Sequence, residues 1–267
     1  MMTVAGSDSG GGAGLQGDLK TFSSIGVYGS SVVTAITAQD SQSVRSTEGV
    51  SPNMVKSQME AVIEDLKPQG VKLGMLYSHE IVRVVATTLK RYAIAPVILD
   101  PILISSSGHP LLQPDAIDIM KQELFPLTEL ITPNIPEAEA LTHMDIKSED
   151  DMKRACERLS IESNSAVLLK GGHKEGMASD ILFDGSEFHH YHSERIPNRS
   201  CHGTGCALSS AITAYLALGH SLQDAVRLAK DYVTGAIRYS QAIGGGYHIL
   251  NHFWMRDHTG RTGETVS

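Results

Sequence analysis

The sequence predicts an α/β protein with a mostly parallel central sheet between two layers of helices, three layers in all. Short apolar runs of strand length alternate with helical segments nearly to the C-terminus. Most predicted strands are followed by glycine or polar residues, as expected where parallel strands give way to helices. No linker rich in proline, glycine or serine divides the chain. We therefore expect one domain over residues 1–254, followed by a polar tail, residues 255–267.

The elements of the first half follow in regular order. Residues 3–5 form a short predicted strand, and apolar residues at helical spacing then run from Leu15 to Ile25, where Gly26 ends the helix. Further strands are predicted at residues 30–38, 71–75 and 96–99, and further helices at 51–66 and 80–92.

The second half continues the alternation and adds a hairpin. Ser148 caps a helix with three acidic residues in its first turn. Asp184-Gly185 joins two strands of an antiparallel hairpin, 180–183 and 187–191. The other predicted elements are a helix opening at Pro114, strands at 130–132 and 166–169, and helices at 137–141, 207–218 and 222–242.

Composition limits the classes of function. The 267 residues are 41% hydrophobic and carry a net charge of −8, which disfavours nucleic acid and anionic membranes as partners. No apolar run approaches the roughly 18 residues of a membrane helix, and the N-terminus lacks a signal peptide pattern. Three cysteines in no metal-binding spacing fit a reducing compartment. We therefore expect a cytoplasmic protein.

The segment from Gly203 to Gly205 is the strongest candidate for chemistry. Two glycines precede a buried helix face, so backbone N–H groups and the positive end of a helix dipole point toward an anion. Cys206 stands in that positive field, which favours its thiolate. Alternatively, Cys206 is only a small buried residue in a helix. With His202 nearby, a cysteine-dependent hydrolase also stays open.

Other candidate residues follow predicted strands and should gather at one edge of the sheet. The segments concerned are 6–14, 39–40, 74–75, 100–101, 134–137 and 170–172. Asn134 and Glu137 fit Mg²⁺ and phosphate binding or helix capping equally well. Lys170 could reach a nucleotide phosphate, although a solvated lysine at a strand end is the simpler interpretation.

Two further patterns are weaker. Gly12-x-Gly14-x-x-Gly17 matches a dinucleotide-binding fingerprint, which keeps an oxidoreductase among the alternatives, but the glycines begin too far beyond the strand. His189, His190 and His192 resemble a metal cluster. In a strand only His190 and His192 share a face, so a solvated hairpin is favoured.

Several motifs together resemble one family. They include Ala5-Gly6-Ser7-Asp8-Ser9-Gly10-Gly11-Gly12-Ala13-Gly14, Thr37-Ala38-Gln39-Asp40-Ser41, Lys72-Leu73-Gly74-Met75, Thr132-Pro133-Asn134-x-Pro136-Glu137, Leu169-Lys170-Gly171-Gly172 and His202-Gly203-Thr204-Gly205-Cys206. In this order they are similar to the hydroxymethylpyrimidine/phosphomethylpyrimidine kinases of thiamine biosynthesis, in the ribokinase-like superfamily. The resemblance covers nearly all of residues 1–253.

The resemblance implies a kinase that uses Mg²⁺ and ATP to phosphorylate 4-amino-5-hydroxymethyl-2-methylpyrimidine and then its monophosphate. It also implies a homo-oligomer, such as a dimer. The residues of the pyrimidine site would be Gly6, Asp18, Gln39, Met75 and Ile102. Asn134 and Lys170 would bind ATP, and Glu137 would bind the metal. Gly203, Thr204, Gly205 and Cys206 would form the anion hole, with Cys206 as the base.

Two departures and one rival accompany the resemblance. Ser106 stands where many members carry a lysine, and Arg199-Ser200-Cys201-His202 replaces a more typical ending in Asn-Thr-His. If the change at Ser106 removes activity, a binding-only regulator is the alternative. The nearest rival is a pyridoxal kinase of the same superfamily. Gln39 argues for the aminopyrimidine because an amide carries both a donor and an acceptor.

Overall fold

The computed structural model describes residues 1–105, 108, 110–171, 178–194, 196–197 and 200–258. Its centre is a nine-stranded sheet with the strand order β3-β2-β1-β4-β5-β6-β7-β8-β9. The strands are β1 Met2–Asp8, β2 Ser30–Gln39, β3 Val44–Gly49, β4 Val71–Leu73, β5 Val97–Leu99, β6 Leu130–Ile131, β7 Ala166–Lys170, β8 Ala178–Phe183 and β9 Phe188–Ser193. The strands from β2 to β7 in that order pair in parallel, and antiparallel strands close both edges.

Helices cover both faces of this sheet, so the predicted three-layer fold is confirmed. They are α1 Gly14–Ile25, α2 Pro52–Leu66, α3 His79–Tyr92, α4 Ala116–Ile119, α5 Ile135–Thr142, α6 Glu149–Ser163, α7 Thr204–Ala217, α8 Leu222–Arg238 and α9 Trp254–His258. A π-helical turn, Met120–Leu124, and a 3₁₀ turn, Phe125–Leu127, follow α4.

The two faces of the sheet bury separate cores. Val97 and Leu99 point to one side, where they pack with α2, α3 and α6, whereas Ile98 points to the other side and packs with α7 and α8. Because side chains alternate along a strand, one short apolar run supplies both cores. The sequences of these central strands are therefore continuously hydrophobic.

Local capping agrees with the sequence. Ser51 and Ser148 accept N–H bonds from the first turns of α2 and α6, and Ser148 forms a capping box with Asp151. Gly26 ends α1 in the left-handed conformation, at a φ of 92°. These contacts fix where the helices start and stop, and hence where the strand-end loops lie.

Several elements differ from the predictions. Strand β3 was missed because most of its residues are polar and exposed, which hides any apolar alternation. A two-stranded parallel sheet of β10 Cys201–His202 and β11 His248–Ile249 was too short to recognise. Helix α8 ends at Arg238, earlier than predicted.

The start of the predicted polar tail is instead the helix α9. Trp254 explains its position, because its indole N–H donates to the Tyr232 carbonyl at 3.0 Å. The ring packs so closely on Gly235 that a Cβ there would lie 2.2 Å from it. Residues 259–267 lie outside the described residues.

Candidate active site

A cavity of about 1450 Å³ opens at the carboxyl ends of β1, β2, β4, β5 and β7. This is the edge at which ligands of open α/β sheets bind. Every residue predicted for the site lines the cavity except Asp18: Gly6, Gln39, Met75, Ile102, Asn134, Glu137, Lys170, Gly203, Thr204, Gly205 and Cys206. Segments from both ends of the chain thus share one cavity.

Direct backbone contact joins the two glycine-rich segments. Gly203 has a φ of 82°, and a Cβ built on it would lie 2.0 Å from the Gly12 carbonyl oxygen. Gly14 has a φ of 55°, and its Cβ would lie 2.4 Å from the Gly6 carbonyl oxygen. Both positions need glycine for its conformation and for its lack of a side chain. The start of α7 is therefore held against the loop that follows β1.

Asp8 organises that loop and was not predicted as a site residue. Its carboxylate accepts N–H bonds from Gly10 at 2.8 Å, Gly12 at 3.0 Å and Ala13 at 2.8 Å. Burial alone would raise the pKa of Asp8, but hydrogen bonds from His202 and from the loop amides lower it. A charged carboxylate thus folds the loop around itself.

Gln39 lies at the end of β2 and contacts His202. The Gln39 Nε2 atom is 2.5 Å from His202 Nε2, and Thr37 Oγ1 is 3.3 Å from Gln39 Oε1. Met75 forms an adjacent wall: a Cβ on Gly6 would come within 2.7 Å of its sulfur atom. The substrate side of the cavity thus combines an amide edge with apolar walls.

Asp18 does not reach the cavity, contrary to the prediction. It is fully buried, and its carboxylate accepts bonds from Lys72 Nζ at 2.9 and 3.0 Å, Thr3 at 2.6 Å and Ser210 at 2.7 Å. Its position in α1 could have signalled this burial, because it follows Leu15 by three residues and precedes Phe22 by four. Lys72, its partner, lines the cavity.

Lys170 is paired rather than solvated. Its Nζ donates to Asp100 Oδ1 at 2.8 Å, beneath Gly205 of α7, and Asp100 is 2% exposed. Burial alone would lower the pKa of Lys170, but the carboxylates of Asp100 and Glu137 raise it. The side chain therefore stays charged beside the helix start. Asp100 directly follows β5 and lies 70 residues from Lys170 in the chain, so no local sequence pattern could predict the pair.

Asn134 and Glu137 form a capping box and also line the cavity. Glu137 accepts the Asn134 N–H at 2.8 Å, and Asn134 Oδ1 accepts the Glu137 N–H at 2.8 Å. Burial raises the pKa of Glu137 to about 7, and the nearby Asp100 adds to the effect. The capping interpretation holds, but it leaves the carboxylate at the cavity wall.

These carboxylates fit a magnesium ion. Mg²⁺ uses one or two protein carboxylates together with phosphates and water. Glu137 and Asp100 are buried acids beside Lys170, and burial raises the pKa of Glu137, with Asp100 adding to the effect. No group of three or more His, Cys, Asp or Glu side chains within the described residues could hold a metal by itself. Two carboxylates with a phosphate and water would match the ligands that Mg²⁺ uses.

An ion pair that was not predicted supports the end of β7. Lys230 of α8 donates to Asp180 at 2.5 Å, and the other Asp180 oxygen accepts the Gly171 N–H at 3.0 Å. A Cβ on Gly171 would lie 2.1 Å from the Ser179 carbonyl oxygen. Both charged side chains line the cavity. The pair holds the strand end that carries Lys170.

Burial favours the neutral thiol of Cys206, whose ionisation the sequence left open. It is 8% exposed, and burial raises its pKa to about 11 although Lys72 acts in the opposite direction. Gly203, the N-cap of α7, makes no side-chain capping bond, and Thr204 and Gly205 of the first turn line the cavity. Desolvation of the sulfur atom outweighs the positive field that the sequence indicated.

The other weak patterns find structural explanations. His189 contacts Asp184 at 2.8 Å, and His190 lies 3.7 Å from Glu149, as in a solvated hairpin. The dinucleotide-like glycines form the loop around Asp8. None of the helices in the described ranges combines the length and apolar character of a membrane span. Ser106, Gly172 and Arg199 lie outside the described residues. The effects expected of the two departures from the family pattern, at Ser106 and at Arg199, therefore stay predictions.

Comparison with known proteins agrees with this geometry. The family model for phosphomethylpyrimidine kinase matches residues 8–251. The chain is 47% identical over 94% of its length to the thiamine biosynthesis bifunctional protein ThiED of Geobacter sulfurreducens, but spans only 52% of that protein. It is 49% identical to the crystal structure of phosphomethylpyrimidine kinase from Clostridium difficile, with a TM-score of 0.80, covering 88% of this chain and 98% of that one.

A pyridoxal kinase has a similar fold at lower identity. An ADP complex of the Bacillus subtilis pyridoxal kinase superposes with a TM-score of 0.89 at 33% identity, covering 96% of this chain and 97% of that one.

Proposed function

The chain belongs to the phosphomethylpyrimidine kinase family, and we propose that it phosphorylates 4-amino-5-hydroxymethyl-2-methylpyrimidine and then the monophosphate product, in thiamine biosynthesis. The γ-phosphate of ATP is the group transferred. One observation carries the proposal: Gly203 packs on Gly12, so an amide edge suited to the pyrimidine and an anion-binding helix start face one cavity.

The substrate side suits an aminopyrimidine ring. The Gln39 amide offers an acceptor and donors, which match the amino group and the adjacent ring nitrogen of the substrate. Met75 and Ile102 supply apolar walls. Gly6 lets the Met75 side chain lie directly against the backbone of β1. These features support binding of a flat heterocycle with its hydroxymethyl group directed toward α7.

The phosphate side suits ATP and Mg²⁺. Lys170 and the first-turn N–H groups of α7, at Thr204 and Gly205, would hold the transferring phosphoryl oxygens as charge spreads over them. Asn134 and Glu137 would contact the nucleotide with its Mg²⁺. When bound, Mg²⁺ would neutralise phosphate charge. Glu137 loses its proton more readily next to a cation, so its raised pKa favours coupling between ionisation and metal binding.

The transfer forms one oxygen–phosphorus bond and breaks another. The hydroxymethyl oxygen attacks the γ-phosphorus and loses its proton to solvent water, and ADP leaves as the bridging bond breaks. A loose transition state requires little help from a base. Because a buried thiol with a pKa of about 11 keeps its proton, Cys206 acts chiefly as the wall beside the helix start. If Cys206 were instead the base that the family resemblance implies, Cys206→Ala would lose far more of the reaction rate than if Cys206 were only a wall.

Pyridoxal is the second candidate substrate. The likeness to the Bacillus subtilis pyridoxal kinase favours it, and both substrates are aromatic heterocycles with a hydroxymethyl group. The Gln39 amide edge favours the pyrimidine.

Mass analysis of the products with Mg-ATP tests the proposal. We expect the pyrimidine monophosphate first and the diphosphate later, with a modest rate loss in Cys206→Ala. Turnover of pyridoxal alone would contradict the pyrimidine assignment. A loss in Cys206→Ala as large as that in a Lys170 variant would restore Cys206 to the role of base.

The setting of the enzyme is also a proposal. A cytoplasmic location is supported by Cys156, Cys201 and Cys206, which form no disulfide bonds with one another. A homodimer follows from the family resemblance. Light scattering of the purified protein would test the dimer, and a monomeric mass at micromolar concentration would contradict it.

A further inference from the structure

Residues 244–247 pack on the turn that follows Gln39, and no step of the proposed reaction uses them. The Tyr247 N–H donates to the Ser41 carbonyl at 2.9 Å, and the Gly246 N–H donates to Ser41 Oγ at 3.2 Å. A Cβ on Gly246 would lie 2.1 Å from the Ser41 carbonyl oxygen. The lack of a side chain therefore lets this segment lie directly on the backbone of the turn.

The backbone is also held on the other side of Tyr247. Gln241 and Ile249 each donate an N–H to the other's carbonyl at 2.9 Å, which closes the loop between them. The His248 N–H donates to the Ser200 carbonyl at 2.9 Å. Because its backbone is fixed on both sides, Tyr247 can place its ring only in the nearby part of the cavity.

Tyr247 brings an aromatic ring to the pyrimidine side of the cavity. Among the described residues that line the cavity, it is the only phenylalanine, tyrosine or tryptophan. A small adjoining pocket is lined by Tyr247 together with Gln39, Ser105 and His202. The ring centroids of Tyr247 and His202 are 6.4 Å apart, and His202 contacts Gln39. The tyrosine is only partly buried, so its ring offers surface to a ligand beside the Gln39 amide.

We propose that Tyr247 is a substrate-contacting residue whose ring stacks on the pyrimidine and does not touch the nucleotide. The inference rests on the proposed function. Met75 and Ile102 supply apolar contact, but neither presents a flat aromatic face. Stacking of a base on an aromatic side chain is worth roughly 5- to 150-fold in affinity. Because phosphorylation leaves the ring unchanged, the same contact serves the hydroxymethyl compound and its monophosphate.

The first experiment measures binding of 4-amino-5-hydroxymethyl-2-methylpyrimidine and of its monophosphate by calorimetry without ATP. In Tyr247→Ala we expect both affinities to fall roughly 5- to 150-fold, while KM for ATP stays within about twofold. Tyr247→Phe keeps the aromatic face and should keep most of the affinity. The matched control is Tyr28→Ala, since Tyr28 is 76% exposed and does not line the cavity. That control should bind both compounds as the unsubstituted protein does.

A spectroscopic experiment separates stacking from a structural role. The unsubstituted protein has one tryptophan, Trp254, which does not line the cavity. In Tyr247→Trp, the pyrimidine should quench the emission of the new indole, whereas ADP should not. The unsubstituted protein should show no quenching by the pyrimidine.

Two glycine variants test how the ring is placed. A Cβ on Gly246 meets the backbone of Ser41, whereas one on Gly245 meets only the end of the Gln42 side chain, at 2.7 Å, which can move aside. Gly246→Ala should therefore weaken pyrimidine binding more than Gly245→Ala does. If melting shows that Tyr247→Ala does not fold, Tyr247→Leu decides, because it keeps apolar bulk and lacks the aromatic face.

Four results would overturn the inference. They are unchanged pyrimidine affinity in Tyr247→Ala or its substitute, a loss in Tyr247→Phe as large as in Tyr247→Ala, quenching of Tyr247→Trp by ADP instead of the pyrimidine, and equal pyrimidine affinities in the two glycine variants. Failure of the proposed function looks different, since the unsubstituted protein would then neither bind nor phosphorylate the pyrimidine.

Discussion

Substituting Gly203 with alanine should separate the two halves of the site. The residue has a φ of 82°, which costs an L-residue about 1–2 kcal/mol, and its Cβ would lie 2.0 Å from the Gly12 carbonyl oxygen. Real Cβ contacts essentially never fall under 3.0 Å, so one backbone segment must move by about 1 Å. A displacement of that size near the reacting groups lowers rates by about 100-fold.

Gly219 provides the matched control at the other end of α7. It has a φ of 89°, and a Cβ there would meet nothing within 4 Å. Gly219→Ala therefore carries the conformational penalty alone and should lower Tm by roughly 2–4 °C per kcal/mol with full activity. Gly203→Ala should melt lower still and lose about 100-fold in kcat/KM.

Differential scanning calorimetry and a coupled ADP-release assay on both variants measure these effects. The comparison isolates the steric contact, because both substitutions place alanine at a positive φ. Equal Tm losses and equal activities in the two variants would refute the reasoning, since Gly203 would then not hold α7 against the loop after β1.

Three further predictions concern buried ionisable groups. Lys72→Met leaves Asp18 buried without its cation and should lower the free energy of unfolding by about 3–5 kcal/mol in urea titrations. Adding Asp18→Leu to Lys72→Met should restore part of the lost free energy of unfolding. A double variant no more stable than Lys72→Met would contradict a stabilising ion pair between Asp18 and Lys72. Burial raises the pKa of Glu137 to about 7, so its contribution to stability is present below pH 4.5 and is lost as pH rises to 7. Glu137→Gln should make Tm depend less on pH over that range. Parallel curves of Tm against pH for the variant and the unsubstituted protein would contradict the raised pKa of Glu137. Since the pKa of Cys206 is raised to about 11, iodoacetamide should modify it slowly at pH 7.5 and faster above pH 9. Rapid labelling of Cys206 at pH 7.5 would show a resting thiolate.

The fold could be predicted because its cause is local. Apolar runs such as residues 97–99 fill both cores at once, and caps such as Ser148 mark helix starts. Strand β3 escaped because its exposed polar residues carry no such pattern. Periodicity thus reveals the elements that bury apolar surface, and only those.

The site could be predicted in outline but not in its electrostatics. Gln39 and Lys170 were found because both stand at strand ends. Asp8 was missed because its partners are backbone amides, which have no sequence signature. The ionisation of Cys206 stayed open because the positive field of a helix start can be inferred from the sequence, whereas burial of the sulfur depends on tertiary packing.

Competition in one reaction tests the central claim most directly. Equal amounts of 4-amino-5-hydroxymethyl-2-methylpyrimidine and pyridoxal are incubated with Mg-ATP, and both phosphorylated products are followed by mass over time. The account predicts that pyrimidine monophosphate accumulates first, that the diphosphate follows, and that pyridoxal is consumed far more slowly. Faster formation of pyridoxal phosphate, with the pyrimidine left unchanged, would contradict it.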